Sequence, residues 1–147
     1  MKHNNYASGK ITNRDLCQIT DFSNLRFELK KTTISPTDID GSLEYRGIFN
    51  ITLELKYGDN DIVPAQDYAF RNQTNSLNRG GYNGGAYIIV ANHEHKTTDD
   101  IDAGGAIVRK LYVYDMLENK GRWKWLKEKQ LSVNQVVDKL MKYHNIA

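Results

Sequence analysis

The sequence lacks the features that identify disulfide-rich, repeat-containing and membrane-spanning proteins. Its 147 residues include a single cysteine, Cys17, which excludes an internal disulfide and a zinc site built on cysteines. It has no internal repeat, no low-complexity tract and no linker rich in Pro, Gly and Ser, so we predict a single domain over residues 1–147. No stretch approaches the roughly 18 apolar residues of a membrane span, and the N-terminus has no apolar signal core. We therefore expect a cytoplasmic protein without a membrane partner.

Basic residues are unevenly spread, although the net charge is only +2. From residue 107 onward the chain carries nine Lys and Arg against four acidic residues. Such a stretch is a solvated face or, if the fold gathers it on one side, a surface that meets phosphates. Trp123 and Trp125 alternate with basic residues here. Such alternation can stack on bases while pairing with phosphates, but we expect both tryptophans to pack in the core. The candidates for phosphate contacts are Arg122, Lys124 and Lys127.

Helical spacing of apolar residues occurs in three segments. Residues 13–31 are predicted to form one broken helix or two short ones, with residues 26–30 extended as the alternative. Residues 63–78 form a helix that begins near Pro64. Residues 131–144 form an amphipathic helix capped by Ser132. The side chains predicted to face inward are Ala65, Tyr68, Ala69 and Leu77 in the second segment and Val133, Val136, Val137, Leu140 and Met141 in the third.

Strands are predicted between these helices. Residues 36–59 form a hairpin, and residues 85–92 are a continuous apolar run that should be a strand buried on both faces. Residues 106–116 fit a helix or a strand, and residues 121–126 a short strand. Hairpins combined with a helical crossover predict an α/β fold, with a mixed central sheet flanked by helices.

The predicted hairpin has one apolar and one polar face, since side chains of a strand alternate between faces. Glu54 and Lys56 lie on the polar face, together with Asp38 and Asp40. Gly47 allows two registers. If it closes a three-residue loop in the left-handed conformation, Asp38 lies opposite Glu54, and if it lies at the loop centre, Asp40 does.

In either register an Asp lies across from Glu54 and a second lies diagonal to it. Like charges that face each other across a strand pair are destabilising, so the arrangement requires compensation. A divalent cation such as Mg²⁺, which prefers oxygen ligands, would provide it. The alternative is an ordinary amphipathic hairpin whose polar face is solvated.

The pattern of Asp40, thirteen intervening residues and then the Glu-x-Lys of "LELK" resembles the signature of the PD-(D/E)xK nuclease superfamily. The segments "ITNRDLCQITDFSNLRF", "ISPTDIDGSLEYRG", "ELKYGD", "DIDAGGAIVRKLYVYD" and "GRWKWL" are together similar to a phage and prophage branch, close to Holliday-junction-resolvase-like proteins. The resemblance covers the chain from about Ile11 to Leu140. It implies a restriction-endonuclease-like fold and a bacterial or phage-infected cytoplasm.

The resemblance also implies a role for each matching residue. Asp40 and Glu54 would bind Mg²⁺ or Mn²⁺ with the backbone carbonyl of Leu55, and Asp38 is an alternative to Asp40. Lys56 would orient the attacking water and balance charge on the phosphate. Gln66, on the following helix, would hold the lysine or the water. The acid implied for the N-terminal helix is Glu28.

The implied activity is metal-dependent hydrolysis of DNA, with branched DNA as the expected substrate. A symmetric cut at a junction requires two copies of a single-site domain, so we hypothesise a homodimer. The alternatives are a ribonuclease and a catalytically silent module of the same fold that binds nucleic acid or protein.

Overall fold

Five strands form one mixed sheet whose spatial order follows the order of the chain. The computed structural model describes residues 39–96 and 100–146, and Glu28, Asp38 and the predicted helices of residues 13–31 lie outside these ranges. Helix α1 (Pro64–Leu77) joins β2 to β3, and helix α2 (Val133–Tyr143) follows β5. The prediction of a mixed α/β sheet flanked by helices is confirmed. The strands are β1 (Gly41–Tyr45), β2 (Phe49–Tyr57), β3 (Ala86–His93), β4 (Ile107–Asp115) and β5 (Lys120–Trp125).

Strands β2 and β3 pair in parallel, whereas the other three neighbouring pairs are antiparallel. Parallel neighbours require a crossover connection, and α1 supplies it. Pro64 is the first residue of α1, as predicted. With these directions the carboxyl ends of β2, β3 and β5 lie at the same edge of the sheet.

The β1–β2 hairpin adopts the register in which Gly47 lies at the centre of the loop. Gly41 pairs with Leu53, and Gly47 has a φ of 69°, which glycine adopts without steric cost. Extending this register by one residue places Asp40 across from Glu54. The structure thereby decides between the two registers that the sequence leaves open.

Apolar side chains pack against both faces of the sheet, and the predicted burial of the central strand β3 is confirmed. Its residues from Ala86 to Ala91 are at most 3% exposed. The first core lies under α2 and includes Phe49, Ile51, Tyr87, Ile89, Val108, Leu111, Val133 and Val136. The second core lies under α1 and consists of Ile62, Phe70, Ile88, Val90 and Tyr112.

Helix α1 buries a different side from the one predicted. Phe70 and Thr74 are its buried residues, whereas Tyr68 is 65% exposed and Ala65 is exposed too. The helix has few apolar residues, so their spacing indicates its inward side only weakly. No helix within the described residues is long and apolar enough to cross a membrane.

Helix α2 begins where the sequence predicts and turns the predicted side towards the core. The Ser132 hydroxyl accepts a hydrogen bond from the Gln135 N–H, and the Gln135 side chain accepts one from the Ser132 N–H, which completes a capping box. The residues predicted to face inward are buried or packed against the first core. They are Val133, Val136, Val137, Leu140 and Met141.

The last two strands, β4 and β5, test two further predictions. Residues 107–115 form a strand, not a helix. Trp123 packs against the second core, and its ring lies 5.2 Å from that of Tyr112. Trp125 is 61% exposed because it is the last residue of an edge strand, so the expectation that both tryptophans pack in the core is wrong for Trp125.

Candidate active site

Asp40 and Glu54 face each other at the open end of the β1–β2 hairpin. Asp40 directly precedes β1, and its Oδ2 accepts a hydrogen bond of 2.7 Å from the backbone N–H of Leu55. The N–H and C=O of one strand residue project to the same side, so the Leu55 carbonyl also faces the Asp40 side of β2. Asp40 thus lies beside Glu54, on the side of β2 to which the Leu55 carbonyl projects.

The polar side of β2 is buried, not solvated. Residues Asn50, Thr52 and Glu54 are 9%, 7% and 4% exposed. Their side chains share a face with the second core, because Thr52 pairs with Ile88 and Glu54 pairs with Val90. The alternative of an ordinary hairpin with a solvated polar face is therefore wrong for β2, because α1 crosses back over that face.

Gln66, in the first turn of α1, connects Lys56 to Glu54. Its Oε1 accepts a hydrogen bond of 2.9 Å from Lys56 Nζ, and its Nε2 donates one of 3.2 Å to Glu54 Oε1. Lys56 Nζ lies 3.5 Å from the same Glu54 oxygen. Gln66 Oε1 also accepts a bond of 3.3 Å from the N–H of Val63, which precedes the helix. Both the oxygen and the nitrogen of the Gln66 amide are therefore hydrogen-bonded, and these bonds connect the start of α1 to the site.

Glu54 occupies an environment that disfavours its charged form. Burial raises the pKa of Glu54, and the nearby charge of Asp40 raises it further; Lys56 and Gln66 oppose these effects without cancelling them. Glu54 Oε2 is buried and has no hydrogen-bond partner among the described residues. An ionised carboxylate with a free buried oxygen is costly unless a further cation or donor approaches it.

The oxygen atoms of this site fit a hard divalent cation. Mg²⁺ is commonly bound through one or two carboxylates, with waters and phosphate oxygens as its other ligands, and Mn²⁺ accepts the same donors. Asp40, Glu54 and the Leu55 carbonyl provide such a set, and the unpartnered Glu54 Oε2 is the atom that most needs a cation. Within residues 39–96 and 100–146, no group of three or more His, Cys, Asp or Glu side chains is placed to hold a metal ion. The donor set thus suits Mg²⁺ or Mn²⁺ and does not suit a closed zinc site.

Two of the three predicted phosphate-binding cations lie away from this site. Arg122 pairs with Val113 and Lys124 with Leu111, so both side chains project to the face covered by α2, opposite Glu54. There they line a cavity of about 730 Å³. Arg122 is also engaged by Glu118, at 2.5 Å.

Lys127 lies at the same edge of the sheet as the carboxyl end of β2. Its Nζ is 2.5 Å from Asp59 Oδ1. That pair is solvent-exposed, so it holds the lysine only weakly. Of the three predicted cations, Lys127 is thus the one at the edge of the candidate site. The predictions for Asp38 and Glu28 fall outside the described residues.

Sequence reasoning missed a cationic pair beside the site. The pairing of β3 with β4 shifts register at Val90, so that Val90 faces Lys110 and Ala91 faces Val108. Arg109 is the extra residue of this β-bulge, and its Nε and the Nζ of Lys110 lie 3.5 Å and 3.1 Å from Asp61 Oδ2. Two adjacent basic residues in a segment predicted as a helix or a strand are a signal, but alternation along a strand assigns them to opposite faces.

Comparisons of the chain with protein-family models, with curated proteins and with solved structures find no match.

Proposed function

We propose that the protein is a metal-dependent deoxyribonuclease of the PD-(D/E)xK type, with a restriction-endonuclease-like fold. The observation that carries the proposal is the meeting of Asp40, Glu54, Lys56 and Gln66 at one point. They come from the approach to β1, from β2 and from α1. Contacts of 2.9 to 3.5 Å join Glu54, Lys56 and Gln66, and Asp40 accepts a hydrogen bond of 2.7 Å from the N–H of Leu55, the residue after Glu54. The same four residues match the motif in the sequence.

Asp40, Glu54 and the Leu55 carbonyl would hold Mg²⁺ or Mn²⁺, and the bound metal would act as a Lewis acid on a phosphodiester. Lys56 is 22% exposed and is held by Gln66, so its charge is available to a group that approaches the two carboxylates. We assign it the stabilisation of negative charge that develops on the phosphate and the orientation of the attacking water. Gln66 is a positioning residue, since it acts through Lys56 and Glu54.

The raised pKa of Glu54 supports a chemical role over a silent binding module. A module that only binds nucleic acid gains nothing from a buried carboxylate that faces a second carboxylate. Perturbed carboxylates beside a lysine in a partly buried site are instead typical of catalytic centres. A ribonuclease would use the same residues, and the substrate panel below separates it from a deoxyribonuclease.

The proposal is tested by incubating the protein with supercoiled plasmid, linear duplex, a four-way junction and RNA, each with Mg²⁺ or with EDTA. We expect cleavage of DNA only with the metal, and faster cleavage of the junction. Light scattering tests the homodimer that a symmetric cut at a junction requires. If none of the four substrates is cleaved in a metal-dependent way, the nuclease proposal is refuted. Cleavage of RNA alone would make the protein a ribonuclease.

A further inference from the structure

Trp125 presents an aromatic ring to solvent at the carboxyl end of β5. The residue is 61% exposed, whereas Trp123, two positions earlier on the same face, packs against the second core. A large exposed ring at a sheet edge is a ready surface for a planar partner. Its surroundings indicate the chemistry of that partner.

Two cations are held against this ring. Arg109 Cζ and Lys110 Nζ lie 5.5 Å and 5.1 Å from its centroid. The β-bulge brings both consecutive residues to one side, where both contact Asp61. An aromatic ring lined with cations complements a partner that carries both flat rings and negative charge, which is the chemistry of nucleic acid.

The ring also lies in line with the candidate active site. Cross-strand pairing runs from Glu54 to Val90, then to Lys110 and then to Trp125, all on one face. Three strand spacings of about 4.8 Å separate the ends of this row by about 14 Å. That distance corresponds to about four nucleotides at the duplex rise of 3.4 Å each, and to fewer in an extended single strand. Val90 and Lys110, which lie between them, are buried, so a strand of nucleic acid bound at the candidate site would reach Trp125 along the carboxyl edge of the sheet.

Lys127 lies beyond Trp125 at the same edge of the sheet. Its ion pair with Asp59 joins side chains that are 49% and 85% exposed. Exposed pairs of this kind contribute little stability, so a phosphate can take the place of the carboxylate. The exposed ring is thus flanked by Arg109 on one side and by Lys127 in the following turn.

We propose that Trp125 is a stacking platform for an unpaired nucleobase, with Arg109 and Lys127 contacting the flanking phosphates. The inference rests on the proposed nuclease function and specifies its substrate. Bases inside a duplex are already stacked on each other, whereas bases in single strands and at branch points are free to stack on the ring. The platform therefore selects DNA with unpaired nucleotides close to the cleavage position.

The test is binding of a fluorescein-labelled 12-nucleotide oligodeoxythymidine, measured by anisotropy in EDTA so that no cleavage occurs. Trp125→Ala should weaken binding by about 5- to 150-fold, the range found for loss of one base-stacking contact. Trp125→Phe should retain most of the affinity, because a phenyl ring also stacks. Tyr143→Ala is the matched control, since Tyr143 is an aromatic residue that is 78% exposed on α2. It should bind like wild type.

Fluorescence gives an independent readout, because the chain has only two tryptophans. With Trp123→Phe, the remaining Trp125 should be quenched by the oligonucleotide. With Trp125→Phe, the remaining Trp123 should not respond. The two experiments together separate stacking on the ring from a general loss of fold.

Unchanged oligonucleotide binding by Trp125→Ala would overturn the platform, as would a loss confined to Arg122→Ala or Lys124→Ala on the opposite face. The same holds if Trp125→Ala converts a dimer to monomers without affecting the oligonucleotide, since the ring would then cover a protein interface. These results leave the nuclease proposal standing, because cleavage by wild type with Mg²⁺ is measured separately.

Discussion

Lys56 donates a hydrogen bond of 2.9 Å to Gln66, and this bond joins strand β2 to the first turn of helix α1. Gln66 also receives a bond from the N–H of Val63 and donates one to Glu54. A single amide thus sets the helix start and the positions of the lysine and the glutamate. The crossover that the parallel strands require is therefore also the element that completes the candidate site.

Replacing Lys56 tests its role in the chemical step. Lys56→Ala should lower the rate of DNA cleavage by about 100-fold or more, the usual effect of losing a charge stabiliser of the transition state. The affinity for DNA in EDTA should change little. Lys139→Ala, which removes an exposed lysine of α2, is the control. Wild-type cleavage rates for Lys56→Ala would contradict the mechanism.

Metal binding should depend on the two facing carboxylates. Calorimetric titration with Mg²⁺ or Mn²⁺ should show binding that Glu54→Ala abolishes, because Glu54 Oε2 is the buried oxygen without a partner. Asp40→Asn should impair cleavage more than Asp38→Asn, since the hairpin register places Asp40 across from Glu54. The reverse order, or identical titrations for wild type and Glu54→Ala, would disprove this arrangement of ligands.

The raised pKa of Glu54 predicts how the stability of the metal-free protein varies with pH. The folded protein holds the Glu54 proton more tightly than the unfolded chain, whose value is near 4.5. The charged carboxylate therefore lowers the free energy of unfolding above the raised pKa, and the penalty disappears as the pH falls through that pKa towards 4.5. Metal binding should weaken over the same range, since it requires the carboxylate.

Glu54→Gln provides the measurement, because it removes the charge but keeps the shape. In EDTA at pH 7 to 8 this variant should unfold at a higher temperature than wild type, and the difference should shrink as the pH approaches 4.5. Glu94→Gln, which alters an exposed glutamate, is the control. If Glu54→Gln were less stable than wild type at pH 8, the ionised Glu54 carboxylate would not destabilise the folded protein.

Gln66 should affect catalysis through its neighbours. Gln66→Ala should reduce cleavage by about 10- to 100-fold, as is typical when a residue that orients a metal ligand is lost. It should also cost about 0.5–2 kcal/mol in stability, because the N–H of Val63 loses its acceptor. Gln73→Ala on the exposed side of the same helix should do neither.

Gln66→Glu separates positioning from simple stability. It keeps an acceptor for Lys56 but sets another carboxylate beside Glu54, so the pKa of Glu54 should rise further. The pH dependence of cleavage should then move to higher pH. An unchanged pH profile would limit Gln66 to capping the helix.

Asp61 should be a strong determinant of stability, since it is the carboxylate partner of the buried Lys110. Asp61→Asn should lower the free energy of unfolding by about 2–3 kcal/mol, less than for a fully buried pair because Asp61 is 29% exposed. The double variant with Lys110→Met should recover part of the loss, since the buried lysine charge is then removed and only Arg109 is left without its carboxylate partner. Asp138→Asn breaks an exposed pair in α2 and should cost less than about 0.5 kcal/mol. If denaturant unfolding showed equal losses of stability for Asp61→Asn and Asp138→Asn, this ranking would be contradicted.

The sequence alone determined the structural features that depend on residues close together in the chain. Alternation put Glu54 and Lys56 on one face of β2, the apolar run of β3 predicted a strand buried on both sides, and Ser132 marked the start of α2. The motif resemblance added Gln66, and the structure brings it into contact with Glu54 and Lys56, two of the motif's charged residues. These signals are reliable because each arises from strand pleating or helix capping, which operate over a few residues.

Only the tertiary structure decided the features that depend on what packs against each element. The hairpin register, which sets Asp40 across from Glu54, was decided by the pairing of β1 with β2, because Gly47 permits either turn. The bulge that gathers Arg109 beside Lys110 breaks the alternation on which a strand prediction relies. The face on which Arg122 projects follows from the partners of β5 and the position of α2, which no stretch of β5 encodes by itself.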